Sequence, residues 1–209
     1  MKRPKVFGIG FHKTGTTSLA AALKLMGYRV TGPNDVDNPD IERDVHQLTA
    51  RLVKRFDAFQ DNPWPIVFRE LDRDYPGSKF VLTVRPTDKW LASVLQHFGE
   101  KSTPMREWIY GIGSPKGHED VYVARYERHN QEVQEYFRHR PNDLLVFRLT
   151  EGDGWPTLCP FLGVPTVKAE FPHLNRRTDR QASHPNARRP LRYRVTNRLS
   201  RVIGRTSTA

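Results

Sequence analysis

Cysteine is all but missing from this chain of 209 residues: Cys159 stands alone, so no internal disulfide framework can staple the fold. Long apolar runs are missing as well. The first, Val6 to Phe11, stops at His12-Lys13, too short for a membrane span or for the apolar core of a signal peptide. Nothing later approaches the roughly 18 apolar residues that a span requires. There is no HExxH, no CxxC and no dense acidic cluster with metal-ligand spacing, so the sequence offers no candidate metal centre. These gaps lead to the expectation of a soluble, cytoplasmic protein without a bound metal.

Lysine is missing from the end of the chain. From Arg176 onward there are ten arginines and one acid, Asp179. The net charge of +11 is therefore concentrated in a tail, and residues 1–175 are nearly balanced. A basic tail on a balanced body does not mark that body as a nucleic-acid binder. Within the tail, Leu191, Val195, Leu199 and Val202 recur at helical spacing among arginines. Such a helix either docks on the body or lies on an anionic membrane surface, where it would suit a glycolipid acceptor.

What the sequence does have is 37% hydrophobic residues, with eleven Phe and four Trp, enough for one core. Short apolar runs alternate with helical patterns. Lys5–Gly10, Tyr28–Thr31, Ala58–Gln60, Lys79–Val84 and Leu144–Leu149 read as strands,. Helices are expected over Thr16–Met26, Pro39–Phe56, Thr87–Phe98, Glu119–Arg138 and Trp155–Leu162,. That alternation predicts an α/β fold: three layers, α/β/α, around a central parallel sheet. The domain occupies residues 1–175 and the tail 176–209.

Between the first strand and first helix lies Gly10-Phe11-His12-Lys13-Thr14-Gly15-Thr16-Thr17-Ser18. Backbone amides and a helix N-terminus make an anion site at such a turn. The glycine spacing is that of a nucleoside-triphosphate P-loop, but Thr16 stands where that loop has its lysine, and the lysine has moved inside, to Lys13,. A small-molecule kinase would also need an Asp closing a later strand, whereas KFVLTV runs into Arg85. The bland alternative is N-capping by hydroxyl residues, which would not call for the lysine.

HKTGTTSL resembles the 5′-phosphosulfate-binding loop of the sulfotransferase family, built on a P-loop-NTPase-like α/β fold. Arg85, with Ser93 eight residues on in the next helix, resembles that family's 3′-phosphate-binding pair. DNPWPIVFRELDRDYPGSKFVLTVRP, LLVFRLTEGDGW and FPHLN look like segments of a bacterial-type subgroup. The resemblance implies transfer of a sulfuryl group from 3′-phosphoadenosine 5′-phosphosulfate (PAPS), with PAP as product, to a hydroxyl or amine of a small molecule, glycan or glycolipid. It implies cosubstrate contacts from Lys13, Thr14, Gly15, Thr16, Thr17, Ser18, Arg85 and Ser93. Lys13 would neutralise the leaving phosphate oxygen. Arg176 and Arg177 occupy the place of a late cosubstrate loop, without the family's Arg-Lys-Gly pattern. Well-known cytosolic members carry a His before Leu-Pro; here Gln60-Asp61-Asn62-Pro63 puts Asp61 at that place. Asp61 is thus the candidate general base, set against the plain reading of a turn-starting Asp. Glu70, His97 and His12 are weaker candidates. Acceptor selection is assigned to 100–117 and to the helix bearing Tyr122, Tyr126 and His129. A further alternative is a non-catalytic nucleotide-binding adaptor with a membrane-binding tail.

Overall fold

A computed structural model describes residues 3–174. Contacts divide the chain into Met1–Asn175 and Arg176–Ala209; the segment expected to form a tail helix, Arg176 and Arg177 lie outside the described residues. Five strands form one parallel sheet: β1 (Val6–Gly8), β2 (Val30–Thr31), β3 (Ala58–Phe59), β4 (Lys79–Thr83) and β5 (Leu144–Phe147), in the order β2-β3-β1-β4-β5. The helices are α1 (Thr16–Leu25), α2 (Ile41–Val53), α3 (Phe68–Asp74), α4 (Thr87–Phe98), α5 (Pro104–Tyr110), α6 (Glu119–Tyr136) and α7 (Trp155–Leu162).

Strand alternation sorts the side chains into two cores. Phe7, Phe59, Phe80 and Leu82 face a cluster with α2 to α6, whereas Val6, Ala58 and Val81 face one with α1 and α7. The register places Phe7 beside both Phe59 and Phe80, and the rings stack at 4.9 and 5.4 Å. The expected three-layer α/β/α arrangement follows from this division. Among the described residues no helix is long and apolar enough to cross a membrane.

Strand β1 stops at Gly8 rather than Gly10. Ile9 still donates to Val81 O at 2.9 Å, but at Gly10 the chain is pressed onto the end of β4: a Cβ there would collide with the hydroxyl and backbone of Thr83. Two helices, α3 and α5, leave no periodic signature in the sequence. Each has seven residues, under two apolar repeats. The start of α5 did carry a local signal, because Thr103 caps it by accepting from Arg106 N and Pro104 occupies its first turn,.

Topology positions the site. Strands β2 and β3 lie on one side of β1, and β4 and β5 on the other. The chain leaves β1 in one direction and returns past it in the other, which makes the carboxyl end of β1 a topological switch point, the place where open α/β sheets take their ligands. Because every pairing is parallel, the turns after β1, β3, β4 and β5 share that edge.

Candidate functional site

The turn after β1 is shaped by two residues with positive φ. Lys13 adopts φ 66 and Gly15 φ 108. A left-handed lysine is uncommon and costs backbone energy. Gly15 is the N-cap of α1 and supplies no side-chain cap, so the amides opening the helix keep their capacity for an anion. Its missing Cβ also lets Leu149, from the turn after β5, approach: a Cβ would sit 2.6 Å from Leu149 Cδ1.

The hydroxyls do not all serve as the sequence suggests. Thr14 is fully buried; its Oγ1 donates to Phe11 O and pairs with Thr83 Oγ1 at 2.6 Å. Its side chain ties the turn to β4, which leaves only its backbone to a ligand. Ser18 Oγ accepts from Leu174 N at 2.9 Å and so ties Leu174 to α1. Thr17 is exposed. Thr16 Oγ1 donates to Asp61 Oδ2 at 2.8 Å.

Asp61 closes the turn after β3, and is itself left-handed, at φ 64. Its Oδ1 accepts from Asn62 N at 2.8 Å. Burial raises the carboxyl's pKa above the ordinary value, against the pull of the Asn62 amide, the Thr16 hydroxyl and the Lys13 charge,. Arg85, after β4, directs Nη1 to Lys13 O at 3.4 Å, and its backbone is clamped by Tyr126 Oη, which accepts from Arg85 N and donates to Arg85 O. Ser93 is half-buried in α4, three residues beyond Trp90, whose indole donates to His12 O at 2.9 Å. The structure thus brings Lys13, Thr16, Asp61 and Arg85 to one edge of the sheet. Glu70 sits on α3, where its electrostatic neighbour is Arg73. Among the described residues no group of His, Cys, Asp and Glu is placed to hold a metal ion.

Three residues assigned to acceptor selection belong instead to the core. Tyr122, Tyr126 and His129 are 0%, 1% and 1% exposed. Trp90 stacks on Tyr126 at 4.1 Å and Phe11 on His129 at 4.3 Å, while His129 Nε2 donates to Ile9 O at 2.7 Å. The polar composition of α6 hid this, because its buried stripe is built from Tyr and His rather than Leu. His12 was equally hidden. It is 4% exposed, with Nδ1 at 3.2 Å from Asn62 Nδ2 and Nε2 at 3.1 Å from Tyr110 Oη.

Both buried histidines are held neutral. Burial lowers the pKa of His12 to about 3, aided by Arg106, Lys13 and His97, and burial lowers that of His129 to about 3 as well. In the unfolded chain each regains a pKa near 6.5. The unfolded state therefore binds protons that the fold excludes, and stability falls as pH drops from about 6.5 towards 3, by up to about 1.4 kcal/mol per pH unit per histidine. Urea unfolding at pH 7.5, 6 and 5 should show this decline; a midpoint independent of pH would contradict the neutral assignments.

A strand-to-helix turn with an internal lysine, with an arginine following the neighbouring strand β4, is matched by kinship in sequence. The family model for the sulfotransferase domain matches residues 5–180, and the chain belongs to that family. A curated relative, Ava biosynthesis cluster protein M of Aspergillus versicolor, is 26% identical over 214 residues, covering 81% of this chain and 80% of that protein. General sulfotransfer activity goes with the family.

Proposed function

We propose that the chain moves the sulfuryl group of PAPS to an acceptor hydroxyl or amine, with PAP as the other product. The observation that carries this reading is the turn between β1 and α1. It holds a lysine in left-handed backbone, before an uncapped helix N-terminus, with the Asp61 carboxylate bonded to the first residue of that helix. PAPS supplies a sulfuryl group already joined to a phosphate that can leave. The opening amides of α1 and the Thr17 hydroxyl suit the 5′-phosphate, which is an anion. Lys13 is a compact point charge, matched to the single negative charge that builds on the bridging oxygen as the S–O bond breaks.

Arg85 and Ser93 are proposed to grip the 3′-phosphate, far from the broken bond, so that binding energy there orients the reacting end. Arg176 and Arg177, which stand in the place of the family's late cosubstrate loop, are proposed to assist. Asp61, proposed as the general base, takes the acceptor's proton as the acceptor oxygen or nitrogen bonds to sulfur. Burial that raises its pKa makes it a better base. His12 is unsuited to that role, because burial makes its ring a weak base and both ring nitrogens are engaged. The proposed acceptors are small molecules, glycans or glycolipids. A cytoplasmic setting, with a tail that either docks on the body or touches an anionic membrane, completes the proposal.

One observation favours a second reading. Asp61 closes β3, a direct neighbour of β1, where a kinase would place the acid for its Mg²⁺. The donor from Thr16 to Asp61 weighs against it, since a nucleoside-triphosphate loop would put its lysine at that position. Thermal shifts separate the two. PAP and PAPS should stabilise the protein without metal, and ATP–Mg²⁺ should not match them at equal concentration. Transfer of label from PAPS to an extract component should follow. A shift with ATP–Mg²⁺ and none with PAP would establish the kinase reading instead.

A further inference from the structure

We infer that His12 is a positioning residue: its ring, held between Asn62 and Tyr110, fixes the Asp61–Asn62 turn against the anion-binding loop. The inference rests on the sulfotransfer reading above, in which Asp61 acts as base, and adds a residue which that reading leaves without a task.

The Asp61 carboxylate has two supports, the Thr16 hydroxyl and the amide of Asn62. The second depends on how its own turn is held. That turn bears signs of a shape imposed from outside: Asp61 is left-handed, and Asn62 Oδ1 is buried with no hydrogen-bond partner among the described residues. Strain and an unsatisfied buried acceptor are costs that a turn chosen for stability would avoid. The side-chain nitrogen of Asn62 is hydrogen-bonded to His12, at 3.2 Å. With the amide so oriented, Asn62 Nδ2 donates to Nδ1, and the neutral ring donates from Nε2 to Tyr110 Oη.

His12 has little freedom to do otherwise. Its carbonyl accepts from Trp90, and its ring lies nearly perpendicular to that of Phe98, with centroids 4.9 Å apart. Tyr110, in turn, stacks on Tyr122 at 3.8 Å. His12 also immediately precedes Lys13. One short loop therefore sets both the cation at the leaving oxygen, through its backbone, and the base, through a side chain. Tyr110 ends α5, within the stretch 100–117 proposed to meet the acceptor. The chain Tyr110–His12–Asn62–Asp61 thus joins the acceptor side to the base through hydrogen bonds.

The test uses H12L, which keeps the volume and loses both hydrogen bonds, and H12N, whose side-chain amide replaces Nδ1. H12L is expected to lower kcat by about 10–100-fold, the usual cost of losing a partner that orients a catalytic group, while PAP still raises its melting temperature. H12N should recover most of the loss. A mere filler of space would be replaced by Leu at least as well as by Asn. Wild-type kcat in H12L, or H12N as slow as H12L, overturns the inference. If the wild type shows no response to PAP, the sulfotransfer reading fails instead. The carboxyl ¹³C titration of Asp61 in the nucleotide-free protein then still decides: its midpoint should move in H12L and return in H12N, and an unmoved midpoint overturns the inference. Should H12L not fold, Y110F, which removes one oxygen, takes its place in both measurements. A smaller change is then expected, and wild-type values in both would again overturn the inference.

Discussion

Replacing Lys13 by Met is expected to reduce kcat for sulfuryl transfer by about 10²–10³-fold, the cost of removing one preorganised group from a developing oxyanion. Met keeps the length of the side chain and its Cβ, so the left-handed backbone at φ 66 carries the same strain as before. The loss then reports the charge alone. PAP affinity should fall by no more than about tenfold, because the α1 amides and Arg85 remain. Lys13→Arg should rescue only in part, since a planar fork does not reproduce a compact ammonium. Equal kcat in the wild type and the Met variant would remove Lys13 from the mechanism.

The place of Lys13, in the turn between β1 and α1, was legible in the sequence, because an apolar run and a helical pattern flank it. Strands β4 and β5 and helices α4 and α7 were legible because apolar spacing and flanking Pro or Gly bounded them. The division of labour within the loop was not. Nothing local distinguishes Thr14, turned inward to Thr83, from Thr16, turned to Asp61; strand order decides it. The burial of Tyr122, Tyr126 and His129 was hidden for a related reason. A helix whose core stripe is aromatic and hydroxylated reads as polar until the Phe11 and Trp90 rings that cover it are placed. His12 had no signal at all, since both its partners, Asn62 and Tyr110, are distant in sequence.

Asp61→Asn is the second large effect: kcat is expected to fall by at least about 10²-fold with PAP affinity retained, as for loss of a general base. Asn suits the site, because Asn and Asp are among the side-chain-bearing residues that best tolerate positive φ. The stability outcome has the opposite sign. Burial raises the carboxyl's pKa in the fold, so the folded state binds the proton more tightly than the unfolded chain does. Ionised Asp61 therefore weakens the fold above that raised pKa, and relief comes as pH falls through it. Asp61→Asn should lose activity without a lower melting temperature at neutral pH. In the wild type, kcat should rise with pH through the raised pKa, and the variant should lose that limb. An active Asp61→Asn enzyme with an unchanged pH profile would show that the base is elsewhere.

The most direct measurement is a crystal structure with PAP soaked in. The account predicts the 5′-phosphate on the opening amides of α1, Lys13 Nζ within hydrogen-bond distance of it, and Arg85 on the 3′-phosphate. A nucleotide bound elsewhere, or a 5′-phosphate in the turn with Lys13 directed away, would contradict it.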